Sequence, residues 1–141
     1  EQNVDKAPAA RNVSDQFVGE WTNISSDNVS AYLTEIGYDI ISRNVASRLR
    51  PTLKFEIIGA DWIMTLTSSI STQVTKFRLG EEFEEGAGGS KMTSSFKFEG
   101  MKLVQTNRGK RDCRIERTVE GNVLMVVAEC NGVRCTRIYK K

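Results

Sequence analysis

Val123-Leu-Met-Val-Val-Ala-Glu-Cys-Asn-Gly-Val-Arg-Cys-Thr-Arg-Ile-Tyr139 decides the fold. Two runs rich in apolar and β-branched residues flank Asn131-Gly132, the dipeptide that best suits a two-residue hairpin turn. Such a turn sets a register. Cys130 opposes Val133 and, counting outward, Val126 opposes Arg137, with both side chains on one face of the ladder. On the second run Val133, Cys135, Arg137 and Tyr139 share one parity, and the more polar Arg134, Thr136, Ile138 and Lys140 share the other. An arginine falls on the apolar face.

The same rhythm continues back to Pro51. Turn signals stand at Gly59-Ala-Asp61, Gly80, Gly86 to Gly89, Gly100, Gly109 and Gly121, mostly 8–12 residues apart. That spacing predicts about nine antiparallel strands. An earlier one through Phe17, Gly19 and Trp21 makes ten. No βαβ alternation occurs, so a parallel sheet is disfavoured. The expected fold class is therefore all-β: a ten-stranded antiparallel up-and-down β-barrel of the clam type, closed so that no sheet edge remains.

Between the first strand and the rest lies a helical interval. Ser26 or Asp27 is suited to cap it, Val29, Tyr32, Leu33 and Ile36 follow at helical spacing, and Gly37 stops it. A second helix is expected from Asp39 to about Leu49, with Ile41, Val45 and Leu49 on one stripe, ended by Pro51. Two short one-sided helices in this position form a helix-turn-helix lid over a barrel mouth. Residues 1–15 are polar and aperiodic and read as a flexible N-terminal arm, leaving 16–141 as the barrel domain.

Composition removes whole classes of chemistry. The chain has 141 residues, 39% hydrophobic and 27% charged, which suits one soluble globular domain. It has no histidine, which excludes His-based triads and most zinc sites. The three cysteines, Cys113, Cys130 and Cys135, show no C-x-x-C spacing, so neither a disulfide framework nor a metal knuckle is expected. Catalytic residues, metal and cofactor are all expected to be none. Residues 1–70 carry 6 Lys/Arg against 9 Asp/Glu and residues 71–141 carry 14 against 9. That asymmetry is too modest for nucleic acid as a partner. Three N-x-S sequons, at Asn12, Asn23 and Asn28, allow a secreted protein as an alternative.

Parity then points into the barrel. On the strand from Cys113, the residues Cys113, Ile115, Arg117 and Val119 face one way and Arg114, Glu116, Thr118 and Glu120 the other. Arg117 thus joins Arg137 in one interior. An interior guanidinium is costly unless its donors are met, and the inward parities of these two strands hold no carboxylate. An anionic ligand gripped by an arginine fork, with Tyr139 donating its hydroxyl, would meet them. The alternative is that both arginines reach a rim, backbone carbonyls or ordered water.

The chain from Phe17 to Lys141 resembles the intracellular lipid-binding proteins, the fatty acid-binding and cellular retinoid-binding family. The resemblance rests on Phe17-x-Gly-x-Trp21, on Asn28-Val-Ser-Ala-Tyr-Leu-Thr-Glu-Ile-Gly37, on Phe77-Arg-Leu-Gly-Glu-Glu-Phe83 and on Gly132-Val-Arg-Cys-Thr-Arg-Ile-Tyr139. It implies that Arg117, Arg137 and Tyr139 bind a lipid carboxylate, because a last-strand Arg-x-Tyr with a second arginine twenty residues earlier does so in that family. Retinol-binding relatives carry glutamine at the arginine positions, so a neutral alcohol is disfavoured. It further implies a non-enzymatic, monomeric carrier of a long-chain fatty acid, with retinoic acid as the alternative ligand. Such a carrier is expected in the cytoplasm, with the nucleus and a secreted or lysosomal compartment as alternatives. It would deliver to membranes or a nuclear receptor. Departures are the long N-terminal arm, the Gly86-Ala-Gly-Gly89 loop, and Val29 where the family's lid carries an aromatic.

Other features have two readings each. Val29, Tyr32, Leu33 and Ile36 serve either helix-to-barrel packing or direct ligand contact as a portal. Arg108, Lys110, Arg111 and Arg114 form a solvated hairpin face, or a patch for anionic membranes and other partners. Glu81, Glu82, Glu84 and Glu85 read as solvated surface. Cys113 and Cys135 read as small apolar liners.

Overall fold

The computed structural model describes residues 8–85 and 92–141, with side chains from residue 13 onward. The order is α1 (Pro8–Phe17), β1 (Gly19–Asp27), α2 (Val29–Glu35), α3 (Ile40–Ala46), then β2 (Thr52–Ile58), β3 (Asp61–Thr67), β4 (Thr72–Phe77), β5 (Phe83–Glu85), β6 (Met92–Glu99), β7 (Lys102–Arg108), β8 (Cys113–Glu120), β9 (Val123–Cys130) and β10 (Val133–Lys140). Every strand from β2 to β10 is hydrogen-bonded antiparallel to its neighbour in sequence except at one place, and β1 joins β2 to β10. The Asn131-Gly132 turn has φ of 51° and 82°, positive at both positions as a type I′ turn demands. Cys130 opposes Val133 and Val126 opposes Arg137, as that turn dictates.

The barrel is nearly closed rather than closed. β4 and β5 are not paired, so two edges remain where none was expected. Side chains bridge part of the opening. Phe77 of β4 stacks on Phe96 of β6 with ring centroids 3.6 Å apart, Phe83 stacks on the far side of Phe96, and the Gly80 amide donates to the Phe96 carbonyl. The Gly86 to Gly89 turn lies outside the described residues.

The N-terminal end also differs from expectation. Residues 8–17 form a helix, so the aperiodic stretch is not an arm throughout, and residues 1–7 lie outside the described region. Phe17 ends this helix instead of opening a strand. Val13 and Phe17, four residues apart, lie on one helix face, and both pack on the barrel core. The Trp21 indole donates to the Phe17 carbonyl at 2.9 Å and so secures the helix end. Burial of this pair outweighs the weak helical signal of the stretch.

The lid follows its own corrections. β1 runs on to Asp27, so the cap of α2 is Asn28, in the left-handed region at φ 63°, and not Ser26 or Asp27. The Asn28 amide donates to the Arg134 carbonyl at 2.8 Å and ties the helix start to β10. Gly37, at φ 104°, ends α2; its amide donates to Thr34 and that of Tyr38 to Leu33, the paired bonds of a Schellman stop. Asp39 caps α3 by accepting from the Ser42 amide at 2.7 Å, and α3 ends at Ala46, short of Leu49. No residue of α3 is buried. Ile41 and Val45 of α3, and Leu49 just beyond it, line an opening instead of packing down.

Candidate functional site

Side-chain chemistry sorts the barrel into a plugged end and a hollow one. All six phenylalanines and both tryptophans belong to one cluster, with Leu53, Leu103, Val119, Leu124 and Tyr139, that fills the end near α1, and Leu53 and Tyr139 also reach the cavity wall. The three tyrosines, 32, 38 and 139, line the hollow. Tyrosine suits a wall with one wet and one dry side, because its ring buries while its hydroxyl keeps a partner. The cavity measures about 620 Å³, within the roughly 300–1,000 Å³ of pockets that enclose a small organic ligand. Its mouth lies between α3 and the β3–β4 turn, where Ile41, Val45 and Ile70 stand exposed.

Arg117, Arg137 and Tyr139 all line this cavity. Register explains the grouping. Arg117 opposes Val126 and Val126 opposes Arg137, so the two arginines stand in one row across β8, β9 and β10. Two strand spacings of roughly 4.8 Å separate their backbones. Tyr139 lies on the next inward row of the same ladder, opposite Leu124.

The two arginines are not equivalent. Arg117 is 6% exposed and its Nη1 donates to the Gln105 carbonyl oxygen at 2.9 Å. Its guanidinium carbon lies 5.6 Å from the Phe96 ring centre, and its Nε is buried without a hydrogen-bond partner among the described residues. Burial pushes its pKa down to about 10, against the opposing pull of Tyr139, Tyr32 and Glu85. A buried cation with a donor unspent favours an anion. Arg137 is half-buried, and its side chain makes no hydrogen bond to another described residue.

The lid residues divide. Val29, Tyr32 and Leu33 are buried against β9 and β10, and the same three line the cavity, so packing and cavity contact coincide. Burial pushes the Tyr32 hydroxyl up to about 12, while the Arg117 charge pulls it back. Ile36 packs against the lid cluster at the helix end and is not part of the cavity wall.

Sequence reasoning missed three things. Cys113 and Cys130 form a disulfide beneath the lid, where no disulfide was expected, and only Cys135 is a free, buried liner. The pairing was available from the short turn at Gly121-Asn122, which sets Glu120 opposite Val123 and hence Cys113 opposite Cys130. Glu85 is not solvated surface: it is half-buried and accepts from the Ser94 hydroxyl at 3.0 Å. Gln105 and Asn107, buried on β7, attracted no notice because neutral amides carry no motif. Two of the four residues of the basic run are spent on ion pairs, Arg108 with Glu82 and Arg114 with both Glu99 and Glu116.

A ten-stranded clam around one cavity, with two arginines and three tyrosines in its wall and a two-helix lid, defines a lipid-binding barrel. Comparison agrees. The chain is 37% identical over 128 residues to a fatty acid-binding protein of Tyrophagus putrescentiae, covering 89% of this chain and 98% of that one. It is 32% identical to mouse retinoid-binding protein 7, covering 87% and 95%. The solved structure of the REP1-NXSQ fatty acid transporter superposes with a TM-score of 0.85 at 30% identity, covering 90% and 96%. No family model matches the chain. The chain belongs to the intracellular lipid-binding protein family, the fatty acid-binding and retinoid-binding proteins. Membership places it among non-enzymatic carriers.

Proposed function

We propose that this protein carries one long-chain fatty acid inside the barrel, with the carboxylate held by Arg117, Arg137 and Tyr139 and the chain running toward the lid. The observation that carries this reading is Arg117, buried at the wall of a largely apolar cavity with no carboxylate bonded to it among the described residues. Several relatives and solved neighbours are named as fatty acid-binding, one of them in complex with arachidonic acid. A carboxylate brings two acceptor oxygens and a charge, which an alcohol does not. Organic extraction of the purified protein, followed by mass spectrometry, is expected to release endogenous fatty acids. Release of fatty alcohols or sterols without acids would overturn the reading.

Carriage within the cell by a monomer, in cytoplasm or nucleus with delivery to membranes or a nuclear receptor, belongs to the same proposal. What supports the membrane step is the apolar rim at the mouth: Ile40, Ile41 and Ile70 are each more than half exposed. Entry needs a gate. α2 is tied to the barrel at both ends, by Asn28 to Arg134 and by Glu35 to the Asn131 amide, whereas α3 buries nothing. Local opening of α3 therefore costs far less than global unfolding. Amides of Ile40–Ala46 are expected to exchange hydrogen fastest in the ligand-free protein, those of α2 more slowly, and both to slow when fatty acid binds. Leu33→Ala is expected to speed entry and release more than it changes affinity. Protection near Gly80 alone would place the portal at the β4–β5 opening.

A further inference from the structure

Three buried polar side chains that the carboxylate site does not use, Ser94, Gln105 and Asn107, lie in one line of contacts between Arg117 and Glu85. Arg117 Nη1 donates to the Gln105 carbonyl oxygen at 2.9 Å, and the Gln105 amide donates to Asn107 Oδ1 at 3.0 Å. That oxygen lies 2.9 Å from the Ser94 hydroxyl, which lies 3.0 Å from Glu85 Oε1. Ser94 has one proton and two oxygens competing for it; given to an ionised Glu85, it leaves the Ser94–Asn107 contact without a hydrogen bond, so Arg117, Gln105 and Asn107 form one linked set and Ser94 and Glu85 another. Ser94 is fully buried, while Gln105 and Asn107 are 5% and 8% exposed. Each member sits on an inward row: Glu85 follows Phe83 by two on β5, Ser94 opposes Asn107, and Gln105 lies beside Leu103, which opposes Arg117. On the inward rows of the ten strands the charged side chains are Arg117, Arg137 and Glu85. Two cations against one carboxylate leave a net of one positive charge.

We propose that Glu85 is the interior counter-charge that matches the cavity to a singly charged anion, acting on Arg117 and Arg137 by its charge across the barrel interior. This rests on the reading of Arg117 and Arg137 as the anion site. Gln105 fixes the Arg117 guanidinium by one edge, through Nη1. A partly solvated carboxylate set off from Arg117 by neutral side chains balances charge without competing for the cavity, whereas a carboxylate placed directly on Arg117 would take the ligand's place. Glu85, Ser94, Asn107 and Gln105 are thus positioning and specificity residues.

The test compares hexadecanoic acid, hexadecyl phosphate and hexadecanol at about pH 8, where the phosphate is largely dianionic. Glu85→Gln is expected to shift the phosphate-to-carboxylate affinity ratio about tenfold toward phosphate, the scale of one charge acting across a protein interior. Glu85→Asp, which keeps the charge, is expected to hold the ratio near wild type. Gln105→Glu, which is nearly isosteric, is expected to lower the acid-to-alcohol ratio by a similar factor, and it decides alone if Glu85→Gln does not fold. If wild-type protein binds the acid no better than the alcohol, the headgroup reading itself fails. If it discriminates, but Glu85→Gln and Gln105→Glu leave these ratios within twofold of wild type or weaken all three ligands equally, the counter-charge inference is overturned.

Discussion

Replacing Arg137 by leucine is expected to weaken binding of a long-chain fatty acid by roughly 1.5–3 kcal/mol, the scale of a hydrogen bond to a charged group. That is about ten- to a hundredfold in Kd. A fatty alcohol of equal length should change far less, since its hydroxyl draws little from a guanidinium's charge. Arg137 is the cleaner of the two arginines to remove. It is half-buried on the cavity wall and holds no described side chain in place, whereas removing Arg117 strips Gln105 of its donor. The β10 ladder, whose bonds are backbone, is left intact. Equal losses for acid and alcohol would move the headgroup away from this row.

Phe17→Ala is expected to lower stability by about 3–5 kcal/mol, the usual cost of emptying a buried aromatic site. Phe17 is fully buried. Its ring meets Phe55, Phe98 and Trp62 edge-on at 5.6, 5.9 and 6.2 Å. Edge-to-face contacts add to the area effect, and the cluster is too closely interlocked to collapse into the space. Denaturant unfolding followed by tryptophan fluorescence would read this, because Trp21 and Trp62 report from the same cluster. A loss below about 1 kcal/mol, the scale of an ordinary surface change, would mean that α1 hangs on the barrel without closing its end.

What was legible in the sequence is instructive. The strands are readable where a turn dipeptide sets register: Asn131-Gly132 puts Arg137 beside Val126, and parity puts Arg117 in the same interior, where the β8–β9 register sets it in the same row. The candidate site was legible to that extent from one turn and a period of two. α1 was not readable because five polar residues, with Pro8, Ala9 and Ala10, conceal the pair Val13 and Phe17, and the aromatic partners of Phe17 lie far away on β2, β3 and β6. The opening between β4 and β5 was not readable either, since a three-residue β5 has the same turn punctuation as a paired strand. Glu85 was hidden by company: four glutamates in five positions read as surface, although Phe83 and Glu85 share the inward parity that gives one of them away. The disulfide needed a register, not a spacing, and the register was there in Gly121-Asn122.

The most direct measurement is carbon-13 NMR of carboxyl-labelled hexadecanoic acid bound to the protein, followed as pH is lowered. Two cations facing the bound headgroup hold it ionised, so its pKa should lie well below the usual carboxylate range. The complex should then hold its full affinity above that range and lose it progressively as pH falls from the ordinary carboxylate value to the depressed one. The signal is expected to stay that of a carboxylate to about pH 4, and to move back toward ordinary titration in Arg137→Leu. A bound carboxyl that titrates as it does in water, or that is unchanged by Arg137→Leu, would contradict the placement of the fatty acid headgroup on Arg117, Arg137 and Tyr139.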